Sequence, residues 1–260
     1  MIRNQQPALT LFAIGLIGLG VLALIYGDFA LVWQPVADWV PGRTALAYGS
    51  GILMLLCGLA LFVKPAAKYS IRILLPYLKI WVLLKVPAII AAPQMEGVWL
   101  GIGELTMLLA GGWTLFAVLA DLPERWRFQL TAGESAVRGA RILFAISLIP
   151  VGLSHLVYVE ATASYVPAWL PYREGWAYLT GIGQMACGIG LLFRVFPRVA
   201  AIAEATMLTI FTLLVWVPAI VADPHARLPW TAFFISWIIA ASAWVIAGNI
   251  ANKPTVKSTG

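Results

Sequence analysis

The chain has 260 residues, of which 62% are hydrophobic and only 11% charged, with a formal net charge of +6. Ordinary soluble domains are about 45–50% apolar and about 25% charged, so a water-soluble fold cannot hide this surface, whereas a bilayer takes it as solvent. The basic excess does not point to nucleic acid, because its residues gather in the short connections between apolar runs.

Eight apolar runs follow one another along the chain, at about 8–27, 45–63, 71–91, 97–119, 141–159, 176–193, 198–221 and 229–248. Each matches the roughly 20 residues that a helix needs to cross the hydrocarbon core. The first, continuing from Ala8 to Tyr26, is too long for the core of a cleavable leader and reads as a span. Arg3, Lys64, Lys68, Arg72, Arg125, Arg127, Arg138, Arg141, Arg194, Arg198, Lys253 and Lys257 fall on one side, and Arg43, Arg173 and Arg227 on the other. Twelve basic residues against three predicts cytoplasmic termini. The expected fold is therefore an all-α integral membrane protein with eight transmembrane helices.

The halves of the chain repeat. At an offset of 130, Trp39, Pro41, Ala47, Tyr48, Gly51, Ile52, Cys57, Gly58 and Leu61 meet Trp169, Pro171, Ala177, Tyr178, Gly181, Ile182, Cys187, Gly188 and Leu191. After a one-residue insertion, Val86-Pro-Ala-Ile meets Val217-Pro-Ala-Ile, and Trp99 and Trp113 meet Trp230 and Trp244. Scattered Leu and Ala matches arise from shared composition, but aligned tryptophans and prolines point to duplication. The expected organisation is a four-helix membrane repeat over residues 1–120, a cytoplasmic linker over 121–140, and a second repeat with a short polar tail over 141–260. Four spans per copy make the two units parallel.

Cys57 and Cys187 lie within spans, with no Cys-x-x-Cys or Cys/His cluster, and read as packed apolar residues rather than metal ligands. The connection Tyr165-Val-Pro-Ala-Trp-Leu-Pro-Tyr172 is either an aromatic belt at the headgroups or a lid over a cavity. Pro87 and Pro218 lie near the outer end of equivalent spans, where a kink either makes room for a ligand or simply serves packing.

Gly152-Leu-Ser-His155, Val166-Pro-Ala-Trp-Leu-Pro171, Gly181-Ile-Gly-Gln-Met-Ala-Cys-Gly188 and the stretch from Arg194 to Ala201 resemble the DoxX-like membrane protein family. The resemblance covers most of residues 141–248 and more faintly the first copy, where Ile25 stands in place of the histidine. It implies a compact four-helix membrane unit, sometimes linked to oxidoreductase or quinone-coupled systems, in a bacterial plasma (inner) membrane. Gln184 stands where related sequences often carry Glu.

Ionisable residues at membrane depth form the default functional hypothesis. At about 1.5 Å per residue, Lys85 lies roughly 9 Å and Glu104 roughly 10 Å below the outer ends of adjacent spans, so the two can meet as an ion pair. Lys79 and Glu204 lie roughly 12 Å and 9 Å from the inner ends of equivalent spans, and that pair could link the halves. The counterparts Ile210, Trp216, Ile235 and Ile73 are all uncharged. These charges are read either as structural pairs or as a site for a proton, a quinone headgroup or an anionic lipid.

His155, with Tyr158 and Glu160 beyond it and Trp169 and Gln184 in the same half, forms the candidate ligand or quinone site. His225, in a loop, offers no second haem ligand on a facing helix. No nucleotide loop or nucleophile–base set stands out, and no reaction is named. Three readings stay open. The chain is a non-enzymatic module that binds a hydrophobic ligand or membrane lipid or serves as a membrane partner subunit; or it is a quinone-interacting redox protein; or it is a small-molecule or lipid transporter.

Overall fold

In the computed structural model, which describes residues 6–124 and 132–250, ten α-helices and one π-helical turn make up the described chain. They are α1 (Gln6–Tyr26), α2 (Arg43–Leu61), α3 (Lys64–Ala91), α4 (Glu96–Leu119), α5 (Gly133–Val157), α6 (Val159–Tyr165), α7 (Arg173–Phe193) and α8 (Pro197–Phe211). The π-turn (Thr212–Trp216), α9 (Val217–Ala222) and α10 (Arg227–Gly248) complete the order. Eight stretches are long and apolar enough to cross a membrane, with α8, the π-turn and α9 forming one of them. The expected linker falls partly on residues 125–131, outside the described residues, as do Arg125, Arg127, Arg3, Lys253 and Lys257.

The helices begin where the chain permits it rather than where hydrophobicity starts. α3 opens at Lys64, seven residues before the apolar run, because Pro65 in its first turn has no N–H to lose. α5 opens at Gly133 and carries Glu134, Arg138 and Arg141 on turns below the span. At the far end of α4, Arg72 donates to the carbonyls of Ala120 (2.7 Å) and Asp121 (2.5 Å), and Lys68 pairs with Asp121 at 3.2 Å. Cations here satisfy carbonyls that the helix itself leaves open.

Helix association inside a bilayer relies on close packing rather than on water expulsion, so small residues mark the crossings. α1 crosses α2 where a Cβ on Gly20 would lie 2.7 Å from the Gly51 carbonyl oxygen. α5 crosses α7 where a Cβ on Gly152 would lie 2.6 Å from the Gly181 carbonyl oxygen. α4 crosses α10 at Gly111, where a Cβ would collide with the Ser242 hydroxyl. α3 packs on α2 and α4, α8 on α7 and α10, α5 on α4, and α1 on α10. α4 and α10 are thus the two helices through which the halves meet. Phe12, Leu16, Phe144, Leu148, Met107 and Ile238 are fully buried in this core.

Several local details recur at the spacing read from the sequence. Gly42 and Tyr172 take the same left-handed conformation ahead of α2 and α7, at φ 69° and 54°. Trp99 Nε1 donates to the Pro93 carbonyl and Trp230 Nε1 to the Pro224 carbonyl, each at 2.9 Å. The prolines behave differently. Pro87 sits inside a continuous α3, whereas Pro218 lies one residue beyond the π-turn, in the first turn of α9.

Candidate functional site

The two halves differ most at the ends of the bundle that carry the aromatic loops. In the first half the chain leaving α1 folds inward. Phe29 and Trp33 are buried among hydrophobic residues, and Gln34 is buried with them. The Gln34 carboxamide donates to the Tyr77 hydroxyl at 2.9 Å and to the Ser50 hydroxyl at 3.3 Å, and its oxygen accepts from the Ala30 N–H at 2.8 Å. Trp33 Nε1 donates to Glu104 at 2.6 Å, and Phe29 meets Trp81 edge-on at 5.5 Å. Lys85 Nζ donates to the Val32 carbonyl at 2.6 Å.

This arrangement corrects one expectation. Lys85 and Glu104 do not form an ion pair with each other; successive residues of the inserted loop, Val32 and Trp33, take one each. The hairpin geometry brings both side chains to the same end of α3 and α4, where their charges still act on one another while their hydrogen bonds go to the loop.

An ion cluster fastens the same loop. Asp28 pairs with Arg43 and, at 2.8 Å, with Arg227 at the start of α10. Arg227 also donates to the Phe29 carbonyl and lies over the Tyr26 ring, 5.2 Å from its centroid. Arg43 reaches the Val36 carbonyl at 3.2 Å and Asp38 at 3.5 Å. Burial alone would raise the Asp28 carboxyl. Hydrogen bonds from Arg227, the Phe29 N–H and Arg43, with the Arg227 charge, outweigh it and hold the group below its ordinary range. Sequence reasoning counted Arg43 and Arg227 as topology signals and missed this cluster. The available signal was that both stand on the side otherwise poor in basic residues, with Asp28 directly after the first span.

In the second half the corresponding loop does not fold inward. It forms α6 and an exposed turn carrying Trp169, 71% exposed, and Tyr172, 88% exposed. Between α6 and the start of α7 lies an open groove of about 630 Å³, lined by Glu160, Ala163, Ser164, Tyr172, Arg173, Glu174 and Gly175. Of the residues expected at a ligand site, Glu160 lines this groove. Tyr158 turns toward α4, where its hydroxyl accepts from the Gly97 N–H at 3.1 Å. Trp169 stands on the exposed turn outside the groove lining.

His155 lies half-buried near the end of α5, 6.0 Å from the Phe211 ring centre, with Nδ1 at 3.0 Å from the Thr180 hydroxyl. That hydroxyl donates its one hydrogen to the Trp176 or Ala177 carbonyl, at 2.8 or 3.1 Å. The imidazole thus stands beside both the Thr180 hydroxyl and the Ala177 carbonyl, and its tautomer is set by which of them takes the ring N–H.

Deeper in the second half, Gln184 on α7 and Glu204 on α8 are wholly buried side chains. The Gln184 oxygen and both Glu204 oxygens have no hydrogen-bond partner among the described residues, with Cys187 and Gln184 standing beside the carboxyl. The expected Lys79–Glu204 pair does not form. Lys79 is exposed on α3, which packs on α2 and α4, whereas Glu204 faces α7. The link between halves runs through α4 and α10, which come close together at Gly111 and Ser242.

Residues 144–242 match the family described as a domain of unknown function, DUF8561. No curated protein and no solved structure matches the chain.

Proposed function

We propose that the chain is a DoxX-like multi-pass protein of a bacterial plasma (inner) membrane, built of two parallel four-helix units with both termini cytoplasmic. Its first unit is closed by its own loop. Its second binds a small hydrophobic or lipid-like molecule.

Contact between equivalent residues supports the two-unit reading. Gly111 and Ser242 stand 131 apart in the sequence and touch at the α4–α10 crossing, as a residue on a two-fold axis must touch its own counterpart. α1 packs on α10 as α5 packs on α4. The one-residue insertion falls naturally in the π-turn at Thr212–Trp216, which holds one residue more than an α-turn. With the insertion there, Glu204 corresponds to Leu74 rather than Ile73. Glu204 and Leu74 are both 0% exposed, whereas Ile73 is 52% exposed.

The observation that carries the ligand reading is the contrast between the loops. Phe29, Trp33 and Gln34 fill the outer end of the first unit, and at the same offset stand Val159, Ala163 and Ser164. Ala163 and Ser164 line the open groove. The second unit therefore has small side chains where the first has large buried ones, and beside them lies an open groove of small, aromatic and charged residues that gives a ligand room. Native mass spectrometry of detergent-purified protein, followed by lipid and quinone extraction, tests this. Stoichiometric retention of a lipid or quinone supports it; an empty protein argues for a scaffold that works through a membrane partner.

A quinone-interacting redox role is the second reading. It is favoured by His155, a half-buried imidazole able to exchange a hydrogen bond with a quinone ring oxygen. Retention of a quinone that is lost in His155→Ala would select it over a lipid.

A further inference from the structure

The groove of the second unit carries one further charge pattern, whose meaning rests on the two-unit reading above. In the first unit Arg43 is neutralised by Asp28 and Asp38. At the same offset the second unit keeps the arginine, as Arg173, but replaces both acids, with Tyr158 and Ala168. Tyr158 spends its hydroxyl on α4. Arg173 has no ion pair among the described residues and lines the open groove. Two carboxylates that the first unit lacks stand in the same lining, Glu160 where it has Ala30 and Glu174 where it has Thr44.

We infer that this groove is a headgroup site for a phosphoethanolamine lipid, its phosphate on Arg173 and its primary ammonium between Glu160 and Glu174. A plain anion would meet two carboxylates, and a plain cation would meet the guanidinium. A headgroup carrying both charges satisfies all three. Guanidinium binds phosphate through paired N–H donors, and a primary ammonium offers three N–H donors where a quaternary ammonium offers none. The position favours a lipid over a free zwitterion. Tyr172 lines it, Tyr165 and Trp169 on the same connection are exposed aromatics, and below Arg173 the α7 surface presents Trp176, Leu179 and Ile182 outward, a strip on which acyl chains can lie.

The test is native mass spectrometry of the full chain after incubation with equal amounts of phosphatidylethanolamine, phosphatidylglycerol and phosphatidylcholine. Preferential retention of one phosphatidylethanolamine is expected. Arg173→Gln should weaken it about tenfold or more, the scale of a lost charge-assisted contact. Glu160→Gln with Glu174→Gln should erase the preference over phosphatidylcholine while some binding remains. These side chains are exposed, so unfolding midpoints should not move. Equal retention of phosphatidylglycerol, indifference to Arg173→Gln, or equally tight binding of free phosphoethanolamine would overturn the headgroup assignment. Ala163→Trp separates the two levels. If it abolishes retention of every lipid while the wild type shows no headgroup preference, the groove stands and the zwitterion fails. If it changes nothing, the groove reading itself fails.

Discussion

At the scale of single residues, the cluster of Asp28, Arg43 and Arg227 does what no sequence motif announced. It ties the loop after α1 to the start of α10, across 199 residues of sequence between Asp28 and Arg227. Asp28→Asn leaves two guanidinium groups facing each other and should destabilise the protein by about 1–3 kcal/mol, read as a lower unfolding midpoint in detergent. The pH dependence follows from the sign of the shift. The Asp28 carboxyl sits below its ordinary value of 3.8, so its contribution is complete above that value and is lost as the pH falls through the lower, folded-state one. A midpoint titrated from about pH 6 to about pH 3 should therefore fall more steeply in the wild type than in Asp28→Asn. Parallel curves would show that the cluster does not hold the fold.

Glycines define the other residue-level constraint. A Cβ on Gly152 meets the backbone oxygen of Gly181 at 2.6 Å, and backbone cannot rotate away as a side chain can. Gly152→Val should cost roughly 1–3 kcal/mol or more through overpacking. Gly49, which has nothing within 4 Å of its Cβ position, should tolerate alanine and serves as the control. Equal effects at both sites would remove close packing as the force between α5 and α7.

At the scale of elements, the π-turn distinguishes α8–α9 from α3. Its widened ring departs from α-helical bonding, whereas residues 81–85 keep the α-helical ring although Pro87 follows them as Pro218 follows the π-turn. Hydrogen exchange should be faster for Thr212–Trp216 than for residues 81–85 of α3. The reverse order would place the weak point elsewhere.

The elements were largely legible in the sequence because bilayer thickness fixes their length and composition gives their number. Their ends were less so. α3 and α5 run well past their apolar stretches, since charged side chains can continue a helix into the headgroup region without being buried there. The π-turn was visible only as a change of offset, without a position. The inward fold of Phe29, Trp33 and Gln34 was not legible at all. Depth along a helix predicted that Lys85 and Glu104 would meet, but depth says nothing about a loop that enters between them. Likewise, equal depth for Lys79 and Glu204 could not reveal that they face different helices.

At the scale of the whole molecule, the two halves meet at the α4–α10 crossing and differ in what fills the ends that carry the aromatic loops. The site residues read from the sequence divide accordingly. Glu160 belongs to the open groove, and His155 stands beside Thr180 and Phe211. Gln184 and Glu204 lie buried beside one another deeper in the second half, Tyr158 bonds to α4, and Trp169 stands on the exposed turn. Arg173, first read only as one of three basic residues on the sparse side, becomes the cation of the groove.

On the proposed function, the first unit supplies its own occupant and the second takes one from the membrane. The most direct measurement exchanges the two loops' residues and counts bound ligand by native mass spectrometry. The wild type should retain one ligand per chain. Ala163→Trp with Ser164→Gln should retain none, and Trp33→Ala with Gln34→Ser should retain a second. An unchanged count in both exchanges would contradict the claim.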